Sequence, residues 1–215
     1  MHHALTLAGE TLHALASGAL YLPGHQTLVV SDLHFGKSER MARLGGPLLP
    51  PYETRATLAR LDAEIAARSP ATVICLGDSF DDLAALHGLD PEDRLWLIRL
   101  MAGRDWIWVE GNHDAGPPDI GGTHRATVQI GPLTLRHIAD PRQMAEVSGH
   151  YHPKAQLAGR FRPCFLADAQ RVILPAFGTY TGGLRSTDAA LTTLMQPRAL
   201  AILTGPRALA IPMPR

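Results

Sequence analysis

The chain has 215 residues, of which 46% are hydrophobic and 19% charged, so it is long enough for one domain and too apolar to be disordered. Lys and Arg together number 20, as do Asp and Glu, and the zero net charge excludes a protein held on nucleic acid by a broad basic surface. No apolar run reaches the roughly 18 residues of a membrane span, and the N-terminus lacks a basic start before an apolar core, so we expect a cytoplasmic protein. The two cysteines are too few for a disulfide framework.

Five short apolar runs are typical of buried strands, and polar residues follow each of them. Their length and their β-branched or aromatic content favour strands over helices. The runs cover residues 27–30, 71–76, 105–109, 133–136 and 145–148. We also expect an N-terminal hairpin within residues 5–22 and further strands at 161–165, 171–174, 199–203 and 207–211.

Two stretches between these runs have helical periodicity. Residues 52–68 carry apolar side chains at helical spacing after two prolines, which predicts one helix. A second helix should begin after an Asp90 cap and carry Leu95, Ile98 and Met101 on one apolar face. Because strands and helices alternate at first and strands dominate later, the sequence predicts an α/β protein with mixed sheets.

The polar residues that follow the strands are candidate metal ligands. In open α/β sheets, ligands bind beyond the carboxyl ends of the strands. The residues found there are Asp32, His34, Asp78, Asn112, His113, His137, His150 and His152. They include five of the eleven histidines. Nitrogen and oxygen ligands without sulfur suit Mn²⁺, Fe²⁺ or Zn²⁺.

Each of these motifs also has an ordinary structural explanation. Asp32-x-His34 is more often a turn or a cap than a metal site, Gly77-Asp78 can be a tight turn, and a lone His137 is more often a hydrogen-bonded structural histidine. Coincidence would have to place all of them, in order, at the ends of predicted strands. The conjunction therefore favours a metal site over the separate explanations.

The order of these motifs resembles that of the calcineurin-like metallophosphoesterase superfamily: Asp32-x-His34, Gly77-Asp78, Gly111-Asn112-His113-Asp114, His137 and Gly149-His150-x-His152. The flanking segments 20–23, 32–37, 77–80, 150–153, 162–165 and 174–183 resemble one branch, the ligase-associated DNA damage response endonucleases called PdeM. The resemblance covers nearly the whole chain. It implies a single domain over residues 1–215 with a four-layer αββα sandwich, in which helices flank two mixed sheets.

The resemblance further implies two divalent ions that share a carboxylate, with Mn²⁺ expected first and Fe²⁺ or Zn²⁺ as alternatives. The ligands would be Asp32, His34 and His152 for one ion, Asn112, His137 and His150 for the other, and Asp78 for both. His113 would face the substrate. The chain departs from the family pattern at Ile138, because Gly usually follows the histidine of this motif.

Such a centre suits the hydrolysis of a phosphodiester. Two cations neutralise the phosphate oxygens and turn water into a nucleophile near neutral pH. His113 as an imidazolium would then donate a proton to the departing oxygen, an effect of about 10²–10⁴ in rate. We expect Asp114 to hold the His113 ring and raise its pKa, although Asp114 could equally be a turn residue.

The substrate is harder to predict from the sequence. Lys37, Arg40 and Arg43 follow the first metal motif and could form a positive strip that binds phosphates, but a solvated charged face would show the same pattern. Phe35, Tyr151, Phe177 and Tyr180 could stack on unpaired bases, or belong to the core. The resemblance implies DNA as substrate, with single strands preferred, and an association with a DNA ligase and a helicase.

Three functional hypotheses follow. The first is an Mn²⁺-dependent DNA endonuclease that acts in the DNA damage response. The second is a phosphatase or phosphodiesterase of small molecules or nucleotides with the same two-metal chemistry. The third is a non-catalytic scaffold, which is disfavoured because every ligand position is occupied.

Overall fold

The computed structural model of the protein describes residues 1–114, 116 and 119–215. One sheet contains β1 (His2–Leu7), β2 (Glu10–Leu15), β3 (Leu20–Leu22), β4 (Thr27–Val30), β5 (Thr72–Leu76), β6 (Asp105–Val109) and β7 (Thr123–Arg125). The other contains β8 (Val128–Ile130), β9 (Leu133–Leu135), β10 (Glu146–Ser148), β11 (Lys154–Leu157), β12 (Arg160–Ala167), β13 (Arg171–Ile173), β14 (Leu200–Leu203) and β15 (Leu209–Pro212). The helices are α1 (Lys37–Arg43), α2 (Glu53–Arg68), α3 (Leu83–His87), α4 (Pro91–Met101) and α5 (Ala189–Leu194), with a 3₁₀ turn at Pro23–His25. Within the described residues, none of the helices combines the length and the apolar character that crossing a bilayer requires.

The first sheet places its seven strands in chain order. Strands β1 to β4 pair antiparallel, and the hairpin of β1 and β2 confirms the N-terminal prediction. Strands β4 to β7 pair parallel, so their carboxyl ends lie at the same edge of the sheet. Strand β4 is buried along its whole length, as its continuous apolar run predicts.

The second sheet has the order β15-β14-β12-β13-β10-β9-β8, with β11 paired to β12 outside this path. Strands β9, β10 and β13 are parallel neighbours, whereas the remaining pairs are antiparallel. Both sheets are therefore mixed, as predicted. The parallel part of each sheet supplies the strand ends that carry the predicted metal motifs.

Three layers of apolar contact hold the sandwich together. Between the sheets, Val29 and Ile74 of the first sheet belong to the same buried cluster as Val147 and Phe165 of the second. Helices α2 and α4 cover the outer face of the first sheet, and the short helix α5 covers part of the second through Leu191. This arrangement confirms the predicted four-layer αββα sandwich. The assignment of residues 1–215 to a single domain stays a prediction.

Of the three residues on the apolar face predicted for helix α4, Met101 packs against the core of the first sheet, whereas Leu95 and Ile98 do not. Leu95 is 66% exposed and Ile98 is 41% exposed, whereas Leu97 and Leu100 are buried against the first sheet. The Trp96 Nε1–H donates to an Asp62 carboxylate oxygen on α2 at 2.8 Å, which fits this rotation of α4. The Asp90 cap is confirmed, because its side chain accepts a hydrogen bond from the backbone N–H of Glu92.

The packing of α4 gives a stability prediction with an internal control. Leu97→Ala should lower the free energy of unfolding by about 2–5 kcal/mol, because the truncation leaves a cavity in a fully buried site. Leu95→Ala, on the same helix but exposed, should change it by no more than about 0.5 kcal/mol. Urea titration followed by circular dichroism measures both values. Equal losses in the two variants would contradict the observed orientation of α4.

Candidate metal centre

Strand ends from both sheets come together at one edge of the sandwich. The residues after β4, β5 and β6 of the first sheet face the residues after β9 and β10 of the second. Across this boundary the His150 backbone N–H donates to Asp32 Oδ2 at 3.0 Å, and His137 Nε2 lies 3.4 Å from Asp78 Oδ2. Two groups result, in each of which the possible ligand atoms lie within 4.8 Å of one another: Asp32, His34 and His152, and Asp78, His137 and His150.

The first group converges on three atoms that lack hydrogen-bond partners. These atoms are Asp32 Oδ1, His34 Nε2 and His152 Nε2, and all three are inaccessible to solvent. Asp32 Oδ1 and His152 Nε2 are 3.0 Å apart, yet they are not aligned for a hydrogen bond. Buried polar atoms are normally paired, and one oxygen with two imidazole nitrogens is a common donor set for a divalent metal ion. The group therefore fits a metal ion.

Neighbouring side chains fix which atoms of this group remain free. His34 Nδ1 donates to Asp81 Oδ1 at 2.8 Å, so the neutral ring keeps its lone pair on Nε2. Asp32 Oδ2 accepts from Ser31 Oγ at 2.5 Å and from the His150 backbone N–H, which leaves Oδ1 available. Such outer contacts orient ligands for a metal ion before it binds.

The second group gathers around His137. Its Nδ1 donates to the Leu76 carbonyl oxygen at 2.8 Å, so the lone pair of the neutral ring lies on Nε2. That nitrogen lies 3.0 Å from Asn112 Oδ1 and 3.2 Å from His150 Nδ1, and it is also close to Asp78 Oδ2. Because these ligand atoms crowd around one carboxylate, a bound cation would be attracted to the space between them in place of a proton.

The pKa values in the second group reflect its concentration of charge. Burial lowers the pKa of His137, but Asp78 and Asp32 outweigh that effect and raise it to about 8. Burial alone would raise the pKa of Asp78, but the His137 and His113 contacts hold it well below its usual value. Burial and the neighbouring His137 lower the pKa of His150. The protein thus keeps Asp78 ionised at the centre of the cluster.

The backbone at the strand ends adopts a left-handed conformation that residues other than glycine rarely adopt. Left-handed φ angles occur at five of the candidate ligands: Asp32 (54°), His34 (48°), Asp78 (46°), His150 (69°) and His152 (45°). Each such angle costs a non-glycine residue about 1–3 kcal/mol and persists only where the surrounding structure enforces it. The fold therefore holds these side chains in place against a local preference for other conformations.

Two glycines allow the strand ends to approach this closely. A Cβ atom at Gly111 would lie 2.1 Å from the backbone nitrogen of Asp78, and one at Gly149 would lie 1.7 Å from Ser31 Oγ. Any side chain at either position would push apart the segments that carry the candidate ligands. The glycines of the Gly-Asn-His and Gly-His-x-His motifs are thus explained by packing.

His113 lies beside the two groups, and the sequence-based assignment of its ring partner to Asp114 is wrong. Its Nδ1 donates to the carbonyl oxygen of Asp81 at 2.9 Å, and its Nε2 lies 4.0 Å from Asp78 Oδ2. The Asp114 carboxylate instead accepts backbone N–H groups of Asp78, Ser79 and Phe80. Burial raises the pKa of Asp114 to about 6, which these three donors only partly offset. Asp114 therefore shapes the loop that carries Asp78.

The sequence analysis missed Asp81. Its buried carboxylate accepts from His34 Nδ1 and from Arg40 Nη1, the latter at 2.9 Å, and the Lys37 ammonium lies 3.8 Å away. Burial raises its pKa, but His34 and the two cations outweigh this effect and lower it to about 2. Asp81 lies three residues after Asp78, which marks it as a candidate. Asp82 lies only one residue further on, so the sequence alone does not tell the two aspartates apart.

The cations predicted to bind substrate phosphates are paired with carboxylates. Lys37 and Arg40 contact Asp81, and Arg43 Nη2 donates to Asp82 Oδ2 at 2.7 Å. Helix α1 therefore does not present the uncompensated positive strip that its sequence suggested. A contact between these three residues and a substrate stays a prediction.

Of the aromatic side chains considered for base stacking, two belong to the core. Phe35 and Phe177 are each 1% exposed and pack beneath the helices on the first sheet. Of the two interpretations that the sequence allows, the structure supports the core for both residues, because no base could reach their faces. Tyr180 is 42% exposed, and Tyr151 is partly buried against the β12 side of the second sheet.

Comparison with known proteins agrees with this geometry. A family model for calcineurin-like phosphoesterases matches residues 25–190, a range that contains every candidate ligand. A crystal structure of the nuclease MPE from Pseudomonas putida is similar, with 30% sequence identity and a TM-score of 0.74 over 97% of this chain and 100% of that chain. No curated protein matches. The chain therefore belongs to the calcineurin-like phosphoesterase family, and it is a metal-dependent enzyme that hydrolyses phosphodiester bonds.

Proposed function

We propose that the protein is a DNA endonuclease that uses two Mn²⁺ ions, prefers single strands and acts in the response to DNA damage. The observation that carries the proposal is the pair of ligand groups around Asp32 and Asp78, the first of which holds three buried ligand atoms without hydrogen-bond partners. A nucleic acid substrate is supported by the likeness to nuclease MPE. The association with a DNA ligase and a helicase is supported by the resemblance to the PdeM branch alone.

The proposed ligand set is the one that the family resemblance implies, and the two groups support it in part. The ligands would be Asp32, His34 and His152 for one ion, Asn112, His137 and His150 for the other, and Asp78 for both. Asp78 belongs to the second group, where its Oδ1 accepts the His113 backbone N–H and its Oδ2 lies near His137 Nε2. Its role toward both ions is supported by the family resemblance alone. Two ions bound there would offset the charge of a phosphodiester and supply a nucleophile from water near neutral pH.

The chain itself supplies the groups that move protons and orient the centre. His113 has its Nδ1 engaged with the Asp81 carbonyl oxygen, so Nε2 is the atom available to a leaving group. A proton on Nε2 would pass to the departing oxygen. Asp81 holds His34 through Nδ1, and Asp114 holds the backbone of residues 78–80. Both aspartates therefore act as positioning residues.

A second candidate is the hydrolysis of small phosphodiesters or nucleotides. The pairing of Arg40 with Asp81 and of Arg43 with Asp82 favours it, because paired cations attract a polynucleotide backbone less strongly. The metal chemistry would be the same. The two candidates differ in whether the enzyme cuts within a long strand.

Circular single-stranded DNA separates these candidates. The Mn²⁺-loaded enzyme should convert the circle to linear products, because an endonuclease needs no free end. Gel electrophoresis over time measures the conversion, with the metal-free enzyme as control. An intact circle, together with fast turnover of a nucleotide or phosphomonoester, would contradict the nuclease proposal.

Asp78→Asn tests the shared carboxylate. We expect the bound metal to fall from two ions per chain to one or none, because the amide loses the negative charge between the two groups. Hydrolysis should fall by more than the roughly 10–100-fold that follows loss of a residue that only orients a ligand. Metal analysis after gel filtration and hydrolysis of bis(p-nitrophenyl) phosphate measure the two effects. Two retained ions would contradict the shared role.

His113→Ala tests the leaving-group role. Cleavage of DNA should slow by about 10²–10⁴-fold while both ions stay bound, because the alkoxide must then leave unprotonated. Hydrolysis of bis(p-nitrophenyl) phosphate should slow much less, since nitrophenolate is a stable leaving group. Rates on both substrates, with metal content measured in parallel, give the comparison. Equal losses on the two substrates would show that His113 acts in some other way.

A further inference from the structure

A groove opens beside the second ligand group, and neither the metal centre nor the loop that supports it accounts for it. It has a volume of about 360 Å³, within the range of small-ligand sites. Segments after β6, between β7 and β8, and after β9 form its walls. The lining residues are Glu110, Gly111, Asn112, Ala126, Thr127, Arg136, His137 and Ile138.

The groove is continuous with the candidate metal centre. Asn112 and His137 line the groove, and their Oδ1 and Nε2 atoms lie 3.0 Å apart within the second ligand group. A phosphodiester bound at that group would therefore extend one of its two substituents into the groove. His113 lies on the other side, where its ring is 5.3 Å from that of His34.

The walls suit a flat, weakly polar ring better than a phosphate. Ile138 is 45% exposed and follows His137 directly, so its apolar side chain stands at the edge of the ligand group. Ala126 and Thr127 are exposed on another wall. Ligand sites combine apolar lining with a few polar groups, and Ile138 supplies the apolar contact beside the polar ligand group.

The charges in the groove also disfavour a phosphate. Arg136 is the arginine of its lining, and Nη1 lies 3.4 Å from Asp140 Oδ2 and 3.8 Å from Glu146 Oε1, which compensate its charge. Glu110, which is partly exposed, contributes a carboxylate. A nucleobase could donate to that carboxylate and to the Thr127 hydroxyl while it packs on Ile138.

We propose that this groove binds the nucleobase next to the scissile phosphate, with Ile138 as its main apolar contact. The inference rests on the proposed function, because it takes the phosphodiester to bind at the adjacent ligand group. It adds recognition of a base to a centre that otherwise contacts only phosphate.

The test compares two inhibitors that differ only in the base. Thymidine 5′-monophosphate and 2-deoxyribose 5-phosphate compete with bis(p-nitrophenyl) phosphate, and each inhibition constant is checked by isothermal titration calorimetry. The wild-type enzyme should bind the nucleotide about fivefold to tenfold more tightly, as expected for partial burial of a base and an isoleucine side chain. Ile138→Ala should reduce this ratio to about twofold. Leu95→Ala, which truncates an exposed side chain on α4, should keep the wild-type ratio.

The outcomes separate this inference from the proposed function. Equal binding of the two inhibitors to the wild-type enzyme, or a ratio that Ile138→Ala leaves unchanged, would overturn the groove assignment even if the enzyme cuts circular DNA. Base-dependent binding that Ile138→Ala weakens would support the groove even if the circle stays intact. In that case the small-nucleotide candidate would replace the nuclease proposal.

Discussion

The rest of this structure depends on one constraint: possible metal-ligand atoms without hydrogen-bond partners are buried together where the two sheets meet. A buried polar atom without a partner costs about 1–3 kcal/mol, and Asp32 Oδ1, His34 Nε2 and His152 Nε2 are three such atoms in one group. The left-handed φ angles at the same strand ends add further cost. Ions that bind the folded chain but not the unfolded chain offset such costs through mass action. Burial of the apolar core between the sheets contributes the remaining stabilisation that offsets these costs.

One loop connects the separate parts of the centre. Residues 78–82 provide the Asp78 carboxylate of the second ligand group, the carbonyl oxygen that engages His113, and the Asp81 carboxylate that orients His34 of the first group. Asp114 closes this loop through three backbone N–H groups. A displacement of the loop would therefore move members of both ligand groups together with His113. This shared support explains why residues without a chemical role, such as Asp114, are buried beside the centre.

Sequence patterns predicted strands that carry a compact apolar run. Strands β4 and β6 have the predicted bounds: β4 is buried along its whole length, and β6 is buried at Trp106, Trp108 and Val109. The short strands β7, β8 and β11 leave no such pattern and were not predicted. The prediction that Leu95 lies on the buried face of α4 was wrong. Leu95 and Leu97 are both apolar, and only packing against α2 and the first sheet decides which of them is buried. Likewise, spacing cannot show that Asp81 orients a ring while Asp82 pairs with Arg43.

Because the cations near the centre are paired with carboxylates, charge attraction cannot be the main source of affinity for a substrate. With a zero net charge and with Arg40 and Arg43 held by carboxylates, long-range attraction contributes little to the capture of a polyanion. Few phosphates are then neutralised by side chains, so binding should depend only weakly on salt concentration. In the proposed nuclease, the affinity for DNA would come from short-range contacts. The metal ions would bind the phosphate, and the groove beside Ile138 would bind the adjacent nucleobase. In the proposed nuclease such a centre would favour a flexible strand, because only an unpaired nucleotide could turn its base into the groove while its phosphate reached the ions.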